Sequence, residues 1–384
     1  MMKKQIIRRV GIGGLVLVMS CVITGCNKVD LVGSAAKEAL AHGKYKTAMK
    51  TLLELSDNKL GKNDSLMLML SEAYYGLNNS SETLSGSNIS DMDFTPGGTS
   101  VVFTDLKKGK LLEYSYPELR FKREIKPSSP CYGIDISEDG SMIAAVLSDG
   151  NIELYDYKTG NKTKTLKGHT NNVSTVVFLD SNHLMSGSRD QNVIIWDIAK
   201  GEALDKQWQH RKNVKSLRRS NDGRFVVSAS NDGTAIVWQY GDDYELEQVR
   251  KVKHGPNYVN DAMLSGDNKF LVTVSGDGDV KIWDTNPRIP DQIIECKDGG
   301  GSVDISPDGK LIAVGAYSFV HIINTETWKE ETKYPISNDP VWAVEFLDND
   351  KFAFVDSKHY YEVDLLRGQA LIDAARKWLE THKD

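Results

Sequence analysis

From Val173 to Asp197 the apolar positions fall into three short runs divided by turn residues. VSTVVF, beginning at Val173, is β-branched and alternating. HLMSGS, beginning at His183, ends in small residues. VIIWD, beginning at Val193, closes on Trp196-Asp197. Runs of this length and composition predict strands, and Arg189-Asp190-Gln191-Asn192 between the last two predicts a hairpin turn. The same pattern returns over Val214 to Gln239 and over Val259 to Asp284. Weaker copies extend it to seven units, with first strands predicted to begin near Ile89, Cys131, Val173, Val214, Val259, Gly300 and Val341. One such unit is too small to bury both of its faces, so units of this kind must stack on one another.

A His ahead of the first run, a Ser or Thr in the second, an Asp in the turn and a Trp in the third recur together at a period of about forty-odd residues. This resembles the WD-repeat β-propeller. The resemblance implies an all-β fold, a seven-bladed WD-repeat β-propeller whose closed ring removes most free strand edges. It also implies a buried hydrogen-bond tetrad in each well-formed blade. These are His169, Ser186, Asp190 and Trp196; then His210, Ser228, Asp232 and Trp238; then His254, Thr273, Asp277 and Trp283. Ser188 and Ser230 stand close enough to replace Ser186 and Ser228. Such tetrads are structural rather than catalytic. The other four units lack the His, and Tyr114, Tyr155, Ile323 and Val363 stand where Trp would, which leaves their networks open. Thr83-Leu84-Ser85-Gly86 echoes Thr165-Leu166-Lys167-Gly168 at the end of a fourth strand. Residues near Ser81 to Ser85 are therefore expected to supply the outer strand of the last blade.

The apolar period changes outside residues 81–368, the predicted propeller. Residues 1–25 begin with Lys3, Lys4, Arg8 and Arg9 and continue in an apolar run to Ile23, too short to span a membrane and suited to a signal peptide. Ile23-Thr24-Gly25-Cys26 resembles the bacterial lipobox, which implies cleavage before Cys26 and lipidation of its sulfur. More than one acyl chain gives stable membrane anchoring. Asn27 after the Cys leans the expected location toward the outer membrane, facing the periplasm, over the inner membrane. Residues 26–80 take helical spacing. Gly43-Lys44-Tyr45-Lys46-Thr47-Ala48 resembles the turn of a tetratricopeptide helix pair, and Gly76 falls 33 residues after Gly43. Three helices are expected there; a generic helical hairpin is the alternative. Residues 369–384 predict an amphipathic C-terminal helix with Leu371, Ala375, Trp378 and Leu379 on one face. That face either lies on the propeller rim or is presented to a partner.

Composition narrows the function. The chain is 40% apolar and 26% charged, a globular balance, and its formal net charge of −6 becomes more negative once the basic leader is removed. An acidic chain without a basic block argues against nucleic acid as a partner. Cys131 and Cys296 remain after Cys21 and Cys26, and the ring is expected to hold them beyond disulfide reach. Motifs for a nucleophile elbow, a Cys-x-x-Cys pair, a zinc-protease helix and a phosphate loop are absent, so no enzyme, cofactor or metal is read from the sequence. The reading is a lipid-anchored bacterial envelope protein that acts as a WD-repeat scaffold for other proteins, held to the membrane through Cys26. Its helical segments are possible further docking sites. A propeller-type hydrolase and a structural subunit of an envelope assembly or secretion complex are the alternatives. The resemblance places the partner-binding face at Tyr132, Asn172, Ser174, Arg189, Asn213, Lys215, Asn231, Tyr258, Asn260 and Trp342. Exposed Tyr, Trp and Arg are the usual anchors of an interface, although Tyr258 and Trp342 could instead pack within their blades.

Overall fold

A computed structural model describes residues 28–78, 81–84, 87–284, 292–296, 299–336 and 339–382. The predicted leader, Cys26, Ser85 and Gly86 lie outside the described residues. The chain divides into two compact units. Ser80–Lys329 and Ser337–Asp364 form the blades; Met1–Asn79, Glu330–Ile336 and Leu365–Asp384 group with the helices.

The strands form seven four-stranded sheets, the blades of a seven-bladed β-propeller. First strands are Ile89–Phe94, Cys131–Ile136, Val173–Phe178, Val214–Arg219, Val259–Leu264, Ser302–Ile305 and Ala343–Phe346. The last two begin later than Gly300 and Val341. Ahead of them Gly301 and Trp342 each donate a lone bond to the second strand, at 2.7 Å to Gly315 O and 2.9 Å to Val355 O. Second and third strands such as His183–Ser188 and Val193–Asp197 are buried at almost every position, because a neighbouring blade covers each face. Fourth strands such as Glu202–Gln207 are largely exposed. The core is therefore a series of layers, one per pair of blades. Between the second and third blades, for example, Val146, Ile152 and Leu154 meet Val176, Leu184 and Trp196. Cys131 and Cys296 are both buried.

Closure is non-local. Ser81–Thr83 pairs antiparallel with His359–Asp364, Ser81 opposite Tyr361 and Thr83 opposite His359, and so forms the outer strand of the seventh blade. Leu84 N–H then donates to Lys358 O at 2.8 Å. Leu84 is buried with Met92 and Phe103 of the first blade and Ala343, Val355 and Tyr360 of the seventh.

The helical unit holds Lys28–Ala41, Tyr45–Leu52, a single turn at Asp57–Leu60, Asp64–Leu77 and Gly368–Thr381. The segment expected to give three helices gives four. Gly43 has a φ of 66° and forms the turn between the first two helices, a backbone that favours glycine. Gly76 does a different job inside a helix, where a Cβ would stand 2.7 Å from the Tyr45 ring. The 33-residue spacing of the two glycines therefore does not repeat one structural role. Leu371, Ile372 and Ala375 of the C-terminal helix share one core with Ala48, Met49, Leu52, Leu60 and Leu70. Arg376 Nη1 and Gln369 Nε2 reach Asp57 Oδ2 at 2.9 and 3.1 Å. The apolar face of that helix is covered by the N-terminal helices and is not presented to a partner.

Leu84→Ala tests closure. Loss of a fully buried Leu side chain should destabilise the chain by roughly 2–5 kcal/mol, read as a lower urea midpoint. A change within about 0.5 kcal/mol, the value for an exposed site, would mean that this segment does not close the ring in solution.

Candidate interaction face and axial channel

The turn after the second strand of the third blade carries Asp190 back to His169. His169 Nδ1 lies 2.9 Å from Asp190 Oδ2, and Nε2 lies 2.8 Å from Ser186 Oγ. Trp196 Nε1–H donates to the same hydroxyl oxygen at 2.7 Å. The fourth blade repeats this, with His210 3.4 Å from Asp232 and 2.7 Å from Ser228, and Trp238 donating to Ser228 at 2.8 Å. Ser188 and Ser230 serve elsewhere, donating to the backbone carbonyls of Asn172 and Lys212. Burial opposes the charges of Asp190 and Asp232, yet the His hydrogen bonds hold both carboxyls well below the usual range.

The fifth blade departs from this plan. His254 meets Thr273 Oγ1 through Nδ1, at 2.7 Å, and Trp283 donates to that oxygen at 2.8 Å. Asp277 instead accepts from Asn257 Nδ2 at 2.7 Å and from Ser275 Oγ. His254 Nε2 is left buried without a hydrogen-bond partner. The expected tetrad is thus a triad and a separate aspartate. Burial, then the Lys281 charge, brings the His254 pKa down to about 4.

Blades that lack the Trp build other networks, which the sequence reading left open. Tyr155 donates to buried Glu153, which also takes Lys162 Nζ at 2.8 Å and Ser128 N–H at 3.1 Å. Glu113 of the first blade takes Tyr157 Oη and Arg123 Nε, each at 2.6 Å.

Five first strands carry a bulge at their start, between Ile89 and Asp91, Cys131 and Gly133, Val173 and Thr175, Val214 and Ser216, and Val259 and Asp261. A bulge takes one residue out of the ladder and re-aims its side chain. The residues released are Ser90, Tyr132, Ser174, Lys215 and Asn260. The last four are positions expected on the interaction face. Arg189 stacks over Tyr132, 5.4 Å from the ring centroid, and Asn172 Nδ2 reaches Tyr132 Oη at 3.4 Å. Crowding by surrounding protein, then the Arg189 charge, lowers the Lys215 pKa. Asn231 N–H donates to Asn213 O at 3.0 Å. Asn260 is turned onto Gly300 O at 2.7 Å.

Tyr258 and Trp342 remain 47% and 46% exposed, although the Tyr258 ring lies against Gly276. Two further aromatics stand at the same strand ends, Trp208 at 69% exposure and Tyr317 at 55%. The indole N–H of Trp208 donates to Gln191 Oε1 at 3.2 Å. Both were missed in the sequence. Tyr317 fills in the sixth blade the turn position of Arg189 and Asn231, but no turn Asp follows it to mark that position.

Deeper in the ring, the first strands bring Asp91, Asp93, Asp135, Asp261, Asp304 and Glu345 within electrostatic reach of one another. Five of these carboxylates accept a backbone N–H from the next blade. Asp91 takes Ile134 at 3.0 Å, Asp93 takes Ile136 at 2.7 Å and Asp135 takes Phe178 at 2.6 Å. Asp261 takes Val303 at 3.1 Å and Asp304 takes Phe346 at 2.6 Å. Thr175 does the same for Leu217 N–H at 3.1 Å. Gly133 leaves room for Asp91, since a Cβ there would lie 3.1 Å from its Oδ2. Arg218 Nη2 answers the acids from 3.0 Å off Asp261. Burial pushes Asp91 and Asp304 up to about 6. It also raises Asp135, and with neighbouring carboxylates it raises Asp93 and Glu345. None of these axial acids was named from the sequence.

The family described as WD domain, G-beta repeat matches residues 160–197, 203–239 and 247–284, which are the third, fourth and fifth blades with the fourth strand that precedes each. A nuclear distribution protein PAC1 from Arthroderma otae is 35% identical over 109 residues, 26% of this chain and 24% of the relative. Cilia- and flagella-associated protein 52 from Mus musculus is 27% identical over 148 residues, 37% of this chain and 24% of the relative. Protein FIZZY-RELATED 3 from Arabidopsis thaliana is 28% identical over 116 residues, 30% of this chain and 24% of the relative. The chain thus spans about a quarter of the length of the curated relatives it matches. The protein carries WD40 repeats, and none of these matches is an enzyme family.

The tetrads and the axis give separate predictions. Asp232→Ala removes the acceptor that His210, Arg211 N–H and the Thr234 hydroxyl share and should destabilise by about 1–3 kcal/mol. Asp277→Ala removes an exposed carboxylate that His254 does not contact, and should stay within about 0.5 kcal/mol. Denaturant midpoints compare the two, and equal losses would contradict the difference between the blades.

Asp91, Asp93, Asp135, Asp304 and Glu345 titrate near pH 4 in the unfolded chain and at higher pH in the folded one. The native state then binds more protons at these five groups across that window, so their contribution to stability is complete below the unfolded values and is lost as pH rises through the folded ones. His254 works in the opposite direction, but it is one group against five. The midpoint should be higher at about pH 5 than at about pH 8. Asp135→Asn keeps an acceptor for Phe178 N–H and should flatten that slope. An unchanged or reversed slope would contradict the protonated axis.

Proposed function

We propose that this protein is a lipid-anchored scaffold of the bacterial cell envelope that docks other proteins on one end of its propeller. The observation that carries the reading is the set of exposed aromatics at that end, Trp208, Tyr258, Tyr317 and Trp342. Large rigid side chains give contact area at small entropic loss, and Tyr and Trp dominate interface energetics. Arg189 and Lys215 add positive charge beside them, which suits a partner segment with acidic residues. The anchor rests on the sequence. The basic leader, the apolar run and the Ile23-Thr24-Gly25-Cys26 box support lipidation at Cys26, and Asn27 supports outer-membrane residence facing the periplasm. The tetratricopeptide-like turn at Gly43 supports a second, helical docking element.

Two measurements test the reading. Cys26→Ser should abolish incorporation of a fatty-acid analogue and release the chain from membranes; unchanged labelling would remove the anchor. In cross-linking on intact cells, a variant with Ala at Tyr258, Tyr317 and Trp342 should lose the partner bands of the wild type while its melting temperature holds. Identical bands would place docking elsewhere.

A further inference from the structure

We propose that the fifth blade carries a divalent transition-metal site formed by His254, Asp277 and Asp279. A ring nitrogen of His254 and one carboxylate oxygen from each aspartate all lie within 4.8 Å of one another. Thr273 occupies Nδ1 of His254, so Nε2 is the nitrogen left for a ligand, and it is buried with no hydrogen-bond partner. His254 as a whole is 2% exposed. Asp277 is exposed and Asp279 half-exposed, so an ion can enter from solvent.

Comparison of the three blades strengthens the assignment. The residue two after the turn aspartate is Asn192 in the third blade and Thr234 in the fourth. The backbone N–H of this residue reaches the aspartate Oδ1 in the third and fifth blades alike, at 3.0 and 3.4 Å, but the side chains differ: Asn192 Nδ2 donates to Asp190 O at 3.0 Å and the Thr234 hydroxyl to Asp232 Oδ1 at 2.5 Å. Those networks satisfy themselves: His donates to Asp, and the neighbour can donate as well. In the fifth blade the neighbour is Asp279, whose side chain accepts only. Two carboxylates then stand side by side, and the histidine has turned its free nitrogen away from any donor. Three acceptors converge where the other blades alternate donors and acceptors, and a cation resolves that arrangement.

One imidazole nitrogen and two carboxylates select Zn2+ or Mn2+ over Ca2+ and Mg2+, which take shells built from oxygen. Lys281 opposes the ion, since its Nζ donates to His254 O at 2.6 Å, but two carboxylates outweigh one ammonium. Asn257 touches Asp277 and precedes Tyr258, so a bound ion would brace the turn on which that exposed ring rests.

Titration calorimetry of Zn2+ alone into the chelator-treated full chain tests the site. The wild type should bind one ion per chain and melt at higher temperature with it, since an ion bound only by the folded state stabilises that state. Asp279→Asn restores the side chain of the third blade. It should fold as the wild type does without metal, yet lose at least ~10-fold in Zn2+ affinity. Asp135→Asn, on the axis, should bind as the wild type does. No binding to the wild type, or full affinity in Asp279→Asn, overturns the proposal. Loss of binding in Asp135→Asn alone overturns it as well and assigns the ion to the axial acids. None of these outcomes depends on docking at the aromatic face.

Discussion

Along the axis, a side chain on the first strand of one blade accepts a backbone N–H from the first strand of the next, and the ring depends on this contact. Each first strand is the inner edge of its sheet, so the polar groups on that edge have no further strand to pair with. Buried N–H groups must be satisfied. Short carboxylates and a threonine take the role of a partner strand. Asp91, Asp93, Asp135, Asp261 and Asp304 each span one blade boundary in this way. Acceptors suit N–H groups best when charged, but charge then accumulates in one narrow place. Arg218 relieves part of it and protons relieve more, as the raised carboxyl pKa values indicate.

The same strands serve the interaction face. In the first and fifth blades the bulge releases the second residue toward the end of the ring, while the third, Asp91 or Asp261, reaches across to the next blade. The two duties fall on adjacent residues and do not compete. The stitching residue is held to small acceptors, whereas the released one ranges over Ser90, Tyr132, Ser174, Lys215 and Asn260. A surface for a particular partner can therefore be written without disturbing the ring that presents it.

The parts of this arrangement differ in how far local sequence reveals them. The middle blades are legible because His, Asp and Trp recur at fixed offsets, each tied to one contact. Closure is legible because Thr83-Leu84 repeats the end of a fourth strand. The axial acids are not. Asp93 and Asp135 sit at alternate positions of half-apolar strands, where a polar residue reads as facing solvent. Only the closed ring turns seven such faces toward one another. The His254 ring is illegible for another reason: its residues fit the tetrad in kind and spacing, and the departure lies in which nitrogen meets Thr273. For the C-terminal helix, the apolar stripe announces that Leu371 and Ala375 are covered, while the identity of the cover depends on a contact with Met49 and Leu70 about three hundred residues away.

Ring closure also constrains the order of folding. The strand at Ser81–Thr83 emerges early in synthesis, but its partner, His359–Asp364, comes from the last blade. Until that blade forms, the early strand has nothing to pair with, and the final layer between Met92 and Val355 cannot assemble. Non-local pairings form late because chain entropy must be lost before the contact returns anything. An unpaired strand in the interval invites pairing with another chain, and a short one invites it least. The closing strand is three residues long, where the fourth strand of the third blade has six. Its brevity limits exposure during folding, and the buried side chain of Leu84 compensates by joining the layer between the first and last blades.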